Sequence, residues 1–198
     1  MSGETSVIVP LSLIGQAGST IYTYEDLQVS AGQIIRPGGS DPTWRTYNLG
    51  IGAGVVYSLL GFATGNHVDY WVQTSHSMAL STVLEIHVHW MTPTSDVGKK
   101  IKFQLDVVSA SLGGTYAVVA GSPFVKEIDL LGSENTNHMI STLADIPAVN
   151  TTVSTLYAVK FTRIVSAATA YASEVYVKYI DCHIKLNTLG SLQENSKV

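Results

Sequence analysis

The sequence predicts an all-β fold, an antiparallel β-sandwich of the jelly-roll kind with an extended N-terminal arm, and three observations carry that expectation. First, β-branched and hydroxyl residues dominate, with 21 Ser, 19 Thr, 22 Val and 14 Ile among 198 residues. Thr, Val and Ile suit the pleated, half-buried surface of a strand and crowd the preceding turn of a helix. Second, runs of period-2 alternation recur at a spacing of roughly ten residues with Gly-rich turns between them, the rhythm of a sandwich. Third, 11 Lys+Arg and 15 Asp+Glu make the chain only 13% charged, about half of the roughly 25% usual in a soluble domain.

The same numbers exclude several classes. A disordered chain lacks apolar residues and carries high net charge, whereas this one is 45% hydrophobic with a formal charge of -4. No apolar run approaches the roughly 20 residues of a membrane span, since Val7 to Ile14 is interrupted by Pro10. Cys182 is the only cysteine, so no intrachain disulfide can form. The start of the chain lacks a basic secretory signal, which predicts a product made in the cytoplasm. The scattered basic residues form no stripe that could track a phosphate backbone, so neither nucleic acid nor membrane is an expected partner.

Residues 1–50 read as an extended arm with the first short strands, punctuated by Gly15, Gly18, Gly32, Pro37, Gly38, Gly39 and Pro42. Residues 51–190 read as the sandwich domain, and 191–198 as a polar tail. Within the domain, strands are predicted at Val55 to Leu60, Asp69 to Gln73, Leu84 to Trp90, Lys100 to Val108, Tyr116 to Ala120, Phe124 to Leu130, Leu156 to Ile164 and Glu174 to Leu186. The clearest is Leu84 to Trp90, where Leu84, Ile86, Val88 and Trp90 alternate with Glu85, His87 and His89. The last strand changes parity along its length, which predicts a bulge near Tyr179. Residues 132–152 are too mixed to assign. Trp90 and Trp71 are expected to face the core, and Cys182, on the apolar parity, to be an inert core thiol.

One constellation could carry chemistry. Glu85, His87 and His89 share one face of a strand, with successive members roughly 6 to 7 Å apart, and Asp181 and His183 form a second polar pair of matching parity. Side by side, these five residues are candidate ligands for a zinc or iron ion; the competing reading is a pair of histidines hydrogen-bonded at a subunit contact. His-x-His resembles the metal strand of the cupins, which carry a Glu after the second His, whereas here Trp90-Met-Thr-Pro-Thr-Ser follows and the carboxylate precedes the pair. Ser75-His76-Ser77 lacks a Gly-x-Ser-x-Gly elbow, and Gly50-Ile-Gly52-Ala-Gly54 lacks the Lys-Ser/Thr of a phosphate loop. Apart from a structural metal ion, no cofactor is expected. Tyr22, Tyr24, Leu27 and His76 are candidate residues for contacts between subunits.

Ser75-His76-Ser77, then Leu84-Glu-Ile-His87-Val-His89-Trp90, then Asp181-Cys-His183 with Asn187-Thr-Leu-Gly190-Ser-Leu-Gln193-Glu194 resemble a family of tailed-bacteriophage proteins of about 200 residues. That family shows a Pro-His-Ser/Ala-Trp element, a His-x-His-Trp strand, a C-terminal Asp-x-His and a Thr-x-Gly-Ser-x-Gln-Glu tail. Tyr24-Glu-Asp-Leu27 and Asp41-Pro42 also match, while Thr74 stands where the family has Pro and Met78 where it has Trp. The resemblance implies a non-enzymatic virion component. The expected version is a homotrimeric decoration or cement protein bound to the major capsid protein or another virion protein; the alternative is a collar, tail or fibre-base component touching glycans, and a cupin-like metal-binding protein ranks below both. Scarce charge fits such a protein, because interface cores are depleted of charged residues.

Overall fold

The computed structural model describes residues 23–29, 34–48, 56–147, 153–167 and 169–186. Tyr22, residues 1–20 of the arm and the 191–198 tail lie outside them. Eleven strands form among the described residues: β1 (Thr23–Val29), β2 (Thr43–Asn48), β3 (Val56–Phe62), β4 (His67–Gln73), β5 (Leu84–Met91), β6 (Lys100–Ala110), β7 (Ala117–Val118), β8 (Phe124–Asp129), β9 (Met139–Ile146), β10 (Leu156–Ile164) and β11 (Val175–Leu186). No helix among these residues is long and apolar enough to cross a membrane.

All strand pairings are antiparallel and build two sheets. One runs β2-β3-β11-β5-β9, with β1 also on β11; the other runs β4-β10-β6, with β7 and β8 both on β6. Taken in chain order, β3, β4, β5, β6, β8, β9, β10 and β11 fold as a nested hairpin in which first pairs with last, giving β3-β11-β5-β9 and β4-β10-β6-β8. Two interlocked Greek keys of this kind are a jelly roll, and the predicted fold class is the observed one. β1 and β3 share one edge of β11, since β3 pairs Val175 to Val177 and β1 pairs Ile180 to Leu186.

The core lies where the alternating strands place it. Leu60, Phe62, Ile86, Val88 and Trp90 from the first sheet meet Val68, Tyr70, Phe103, Leu105, Tyr157 and Phe161 from the second, all at most 2% exposed. Phe161 centres the contact, with its ring 5.2 Å from Phe62 and 4.9 Å from Phe103. Such edge-on and offset pairs each add about 1 kcal/mol beyond area burial.

Four local expectations need correction. Trp71 is 47% exposed, because Val68, Tyr70 and Val72 occupy the inward positions of β4 and leave Trp71 on the other parity. The unassigned 132–152 stretch contains β9, whose pattern is scrambled by an irregularity in its pairing with Ile86 and His87 of β5 that leaves Leu143 as the extra residue. β2 was hidden for a different reason: four of its six residues in a row, Thr43 to Thr46, are exposed on an edge strand, so no alternation marks it. The strand predicted from Tyr116 to Ala120 shrinks to two residues. The predicted bulge is present, with the β11 to β5 register shifting between Val177 and Tyr179.

Arg163 ties the two sheets together at the end of β10. It is 1% exposed, and its Nη1 donates to the carbonyl oxygens of Phe62 and Ser173 at 2.6 Å while Nη2 donates to Tyr171 at 2.6 Å. Burial pulls its pKa down to about 10. The guanidinium is nevertheless retained as a cation by the carbonyls it bridges. Nearby, Arg45 of β2 pairs with Glu174 through two 2.7 Å hydrogen bonds, and a Cβ on Gly61 would lie 2.6 Å from Glu174 Oε2. Glycine there leaves room for the pair to cross β3. Replacing Arg163 with Met, which keeps volume but strands three carbonyls, is expected to lower unfolding stability by about 3 kcal/mol or more in denaturant titrations.

Candidate functional site

The sequence-predicted ligands gather on the face of the six-stranded sheet that points away from the core. On β5 the inward positions go to Ile86, Val88 and Trp90, which leaves Glu85, His87 and His89 outward. On β11 the bulge puts Ile180, Cys182 and Ile184 inward, so Tyr179, Asp181 and His183 face the same way as the β5 histidines. The register then sets His87 opposite Asp181, Glu85 opposite His183, and His89 opposite Tyr179. β1 brings Asp26 opposite His183 on the other edge of β11.

These side chains form a continuous row across three strands and the start of a fourth. His183 Nε2 lies 2.9 Å from Asp26 Oδ1 and 3.2 Å from Asp181 Oδ2. Asp181 Oδ1 lies 3.2 Å from His89 Nε2 without the alignment of a hydrogen bond. His89 Nδ1 is 2.7 Å from His138 Nε2, just before β9. Tyr179 stacks on His89 with ring centroids 3.9 Å apart, and the rings of His87 and His183 meet edge to face at 4.0 Å. His87 Nε2 is 3.6 Å from Glu85 Oε2.

Although the row faces outward, much of it is dry. His87 is 8% exposed, His89 6% and Asp181 1%. Burial lowers the pKa of His89 against the opposing pull of Asp181, and lowers that of His138 with help from Lys178. Burial thus disfavours the cationic form of the His89 ring, which lies beside the buried Asp181. Both ring nitrogens of His87 are buried with no hydrogen-bond partner, in a protein interior where such groups are normally satisfied.

All five predicted ligands therefore come together, with His89 displaced toward His138 and away from the cluster of Glu85, His87 and His183. Asp26, His138 and Tyr179 were missed as site residues. Asp26 signals itself only once β1 is known to lie on β11, and His138 belongs to the stretch whose pattern the β9 irregularity scrambles. Of the candidate contact residues, Tyr24 is 60% exposed with Lys185 Nζ 5.8 Å from its ring. Leu27 packs against the chain's own core, and His76 is half-buried with Nε2 2.9 Å from Ser154 Oγ. The cupin-like arrangement differs in placement, because here the His-x-His pair projects outward from the sheet and not between the sheets.

A second surface lies on the outer face of the other sheet. Trp71 and Tyr116 are edge to face at 5.9 Å, beside a shallow cavity of ≈ 390 Å³ lined by Asp69, Trp71, Asp106, Ala158 and Lys160. Asp69 Oδ1, at its wall, is buried without a hydrogen-bond partner.

Fold and site together define an all-β jelly roll with a histidine and carboxylate row on one outer face. No family model and no curated protein matches the chain. Among solved structures it is similar to a family GH115 4-O-methyl-α-glucuronidase, BtGH115A, at TM-score 0.44 and 10% identity, over 79% of this chain and 17% of that one. It is also similar to a family 35 carbohydrate binding module from Clostridium thermocellum, at TM-score 0.40 and 13% identity, over 80% of this chain and 97% of the module. A family 22 carbohydrate binding module of Clostridium thermocellum Xyn10B gives TM-score 0.36 and 12% identity over 83% of this chain and 91% of that one.

Cys182 sits behind the row on the core side at 0% exposure, and burial, reinforced by Asp181, pushes its thiol pKa well up. Thiolate is the reactive form. Native protein is expected to resist an aromatic disulfide reagent at mildly alkaline pH and to react once per chain in denaturant; rapid labelling of the folded protein would show that this strand opens readily.

Proposed function

We propose that this chain is a non-enzymatic structural component of a tailed-phage particle: a jelly-roll subunit, trimeric, that decorates or cements the capsid by contacts with identical copies and with the major capsid protein. The observation that carries this reading is where the phage-like motifs lie. The Tyr24 to Leu27 segment pairs with the Asp181 to His183 segment through β1 and β11, Ser75 Oγ donates to Glu25 Oε2 at 3.5 Å, and Met78 bridges Leu186. These described motif segments, far apart in sequence, thus meet along β1 and β11, beside the His-x-His strand.

Surface chemistry supports assembly. Trp44, Val56 and Tyr57 on the β2 and β3 edge are 47%, 56% and 47% exposed, and their neighbourhood carries little charge beyond Arg45 and its partner Glu174. An edge strand with apolar side chains is a ready template for association. A subunit that binds only the assembled shell stabilises it by mass action. Closed rotational symmetry gives every copy the same contacts.

One observation favours a second reading within the virion. The exposed Trp71 ring, in edge-to-face contact with Tyr116, lines a cavity with carboxylates and Lys160, the combination of aromatic face and hydrogen-bonding groups that suits a sugar ring. This is the collar, tail or fibre-base reading, with glycan contact.

For the assembly reading, light scattering of the full chain is expected to give a trimer that Trp44→Asp dissociates without loss of β signal in circular dichroism. A stable, monodisperse wild-type monomer would count against it. For the second reading, a glycan array is expected to show binding that Trp71→Ala abolishes; an array on which wild type and Trp71→Ala are equally blank leaves the cavity without a sugar.

A further inference from the structure

The buried, unpartnered ring of His87 is the feature of the row that hydrogen bonding leaves unexplained. Both of its nitrogens are inaccessible and without a hydrogen-bond partner, yet a neutral imidazole carries one donor and one acceptor that ordinarily find groups when desolvated. Its neighbours are metal-binding side chains. Glu85, His87 and His183 each offer a ligand atom, and those atoms lie within 4.8 Å of one another. Asp26, Asp181 and His183 form a second such group sharing His183.

We infer that Glu85, His87 and His183 bind one divalent transition-metal ion of the zinc class, with Asp181 and Asp26 orienting the His183 ring. In a tetrahedral zinc site with bonds of about 2.0 to 2.2 Å, donor atoms are roughly 3.3 to 3.5 Å apart. The 3.6 Å between His87 Nε2 and Glu85 Oε2 is already near that spacing, and side-chain rotation brings the remaining donor in from 4.8 Å or less. Two imidazoles and a carboxylate suit zinc better than calcium or magnesium, which take oxygen donors. Asp181, 1% exposed and ion-paired to His89 and His183, would also gain a dication beside its buried carboxyl group.

The surrounding structure has the parts that such a site needs. A carboxylate on one ring nitrogen of a ligating histidine sets its orientation and raises its basicity; Asp181 and Asp26 occupy His183 Nε2, which leaves Nδ1 as the nitrogen for the ion. Glu85 and His183 keep side-chain exposures of 37% and 29%, so the cluster is open to solvent on one side while His87 closes the other. The ion would join β5 to β11 and, through Asp26, β1 to both. Its role is a structural clamp on the outer face of the sheet, and it holds whether or not the protein belongs to a virion.

Zinc alone is the probe. After chelation and dialysis, the folded full chain is expected to take up one zinc per chain in calorimetry and to melt at a higher temperature with zinc than with chelator. His87→Ala and His183→Ala should each weaken binding by about 100-fold or more, and Asp181→Asn by roughly 10- to 100-fold. His67→Ala, on the other sheet, should leave it unchanged. Less than about 0.1 equivalent bound by folded wild type, or undiminished binding in the His87 and His183 variants, overturns the inference. If His183→Ala does not fold, imidazole nitrogen resonances of wild type decide: zinc must move those of His87 and His183, and movement only of other histidines overturns the assignment.

Discussion

Lys178 adds one residue to the middle strand of the six-stranded sheet, between Val177 opposite Trp90 and Tyr179 opposite His89, and a one-residue shift exchanges the two faces of a strand. Before it, Val175 and Val177 point inward; after it, Ile180, Cys182 and Ile184 do. Without the shift, Tyr179, Asp181 and His183 would enter a core built of Leu, Ile, Val and aromatic rings, and three apolar side chains would be turned outward. Desolvating a carboxylate and an imidazole there costs several kcal/mol each. The bulge therefore decides both that β11 can be the central strand and that its polar residues meet those of β5.

Central position makes β11 unusually demanding. It pairs with β5 along one edge and with β3 and then β1 along the other, so most of its backbone groups are satisfied and its side chains are covered by neighbours on both faces. That is why an outward-facing row can be dry. Tyr179 covers His89, the His183 ring covers His87, and the strands on both sides leave Asp181 almost no water. At the opposite end of the sandwich, Arg163 solves a related problem by bridging carbonyls from β3 and from the turn before β11. In a chain with so few charges, several of those present are spent inside the structure, organising backbone or one another.

That distribution bears on the proposed role. With Arg163 and Asp181 buried and Arg45 paired to Glu174, little charge remains to keep the β2 and β3 edge soluble as a free surface, while Trp44, Val56 and Tyr57 stay exposed there. The histidine row and the aromatic face of the other sheet lie on opposite sides of the sandwich. The proposed clamp on one face and the proposed contact surface on the other would therefore share no residues.

The sequence by itself determined the fold class, most of the strands and the inward faces of β5 and β6, because period-2 alternation over Leu84 to Trp90 and Lys100 to Val108 reports burial directly. It also placed Cys182 in the core and the irregularity near Tyr179. Where alternation was absent or broken it went silent or misled: β2 is exposed along most of its length, β9 changes parity at Leu143, and Trp71, expected on the core parity, lies on the opposite one to Val68, Tyr70 and Val72. The five candidate ligands were legible as residue types on matching faces. Only the tertiary structure decided that they meet, since the β11 to β5 register comes from long-range pairing, and only it added Asp26 and His138. A strand's own sequence specifies which way each side chain points; which strand lies beside it, and at what offset, is set by the packing of the whole sandwich.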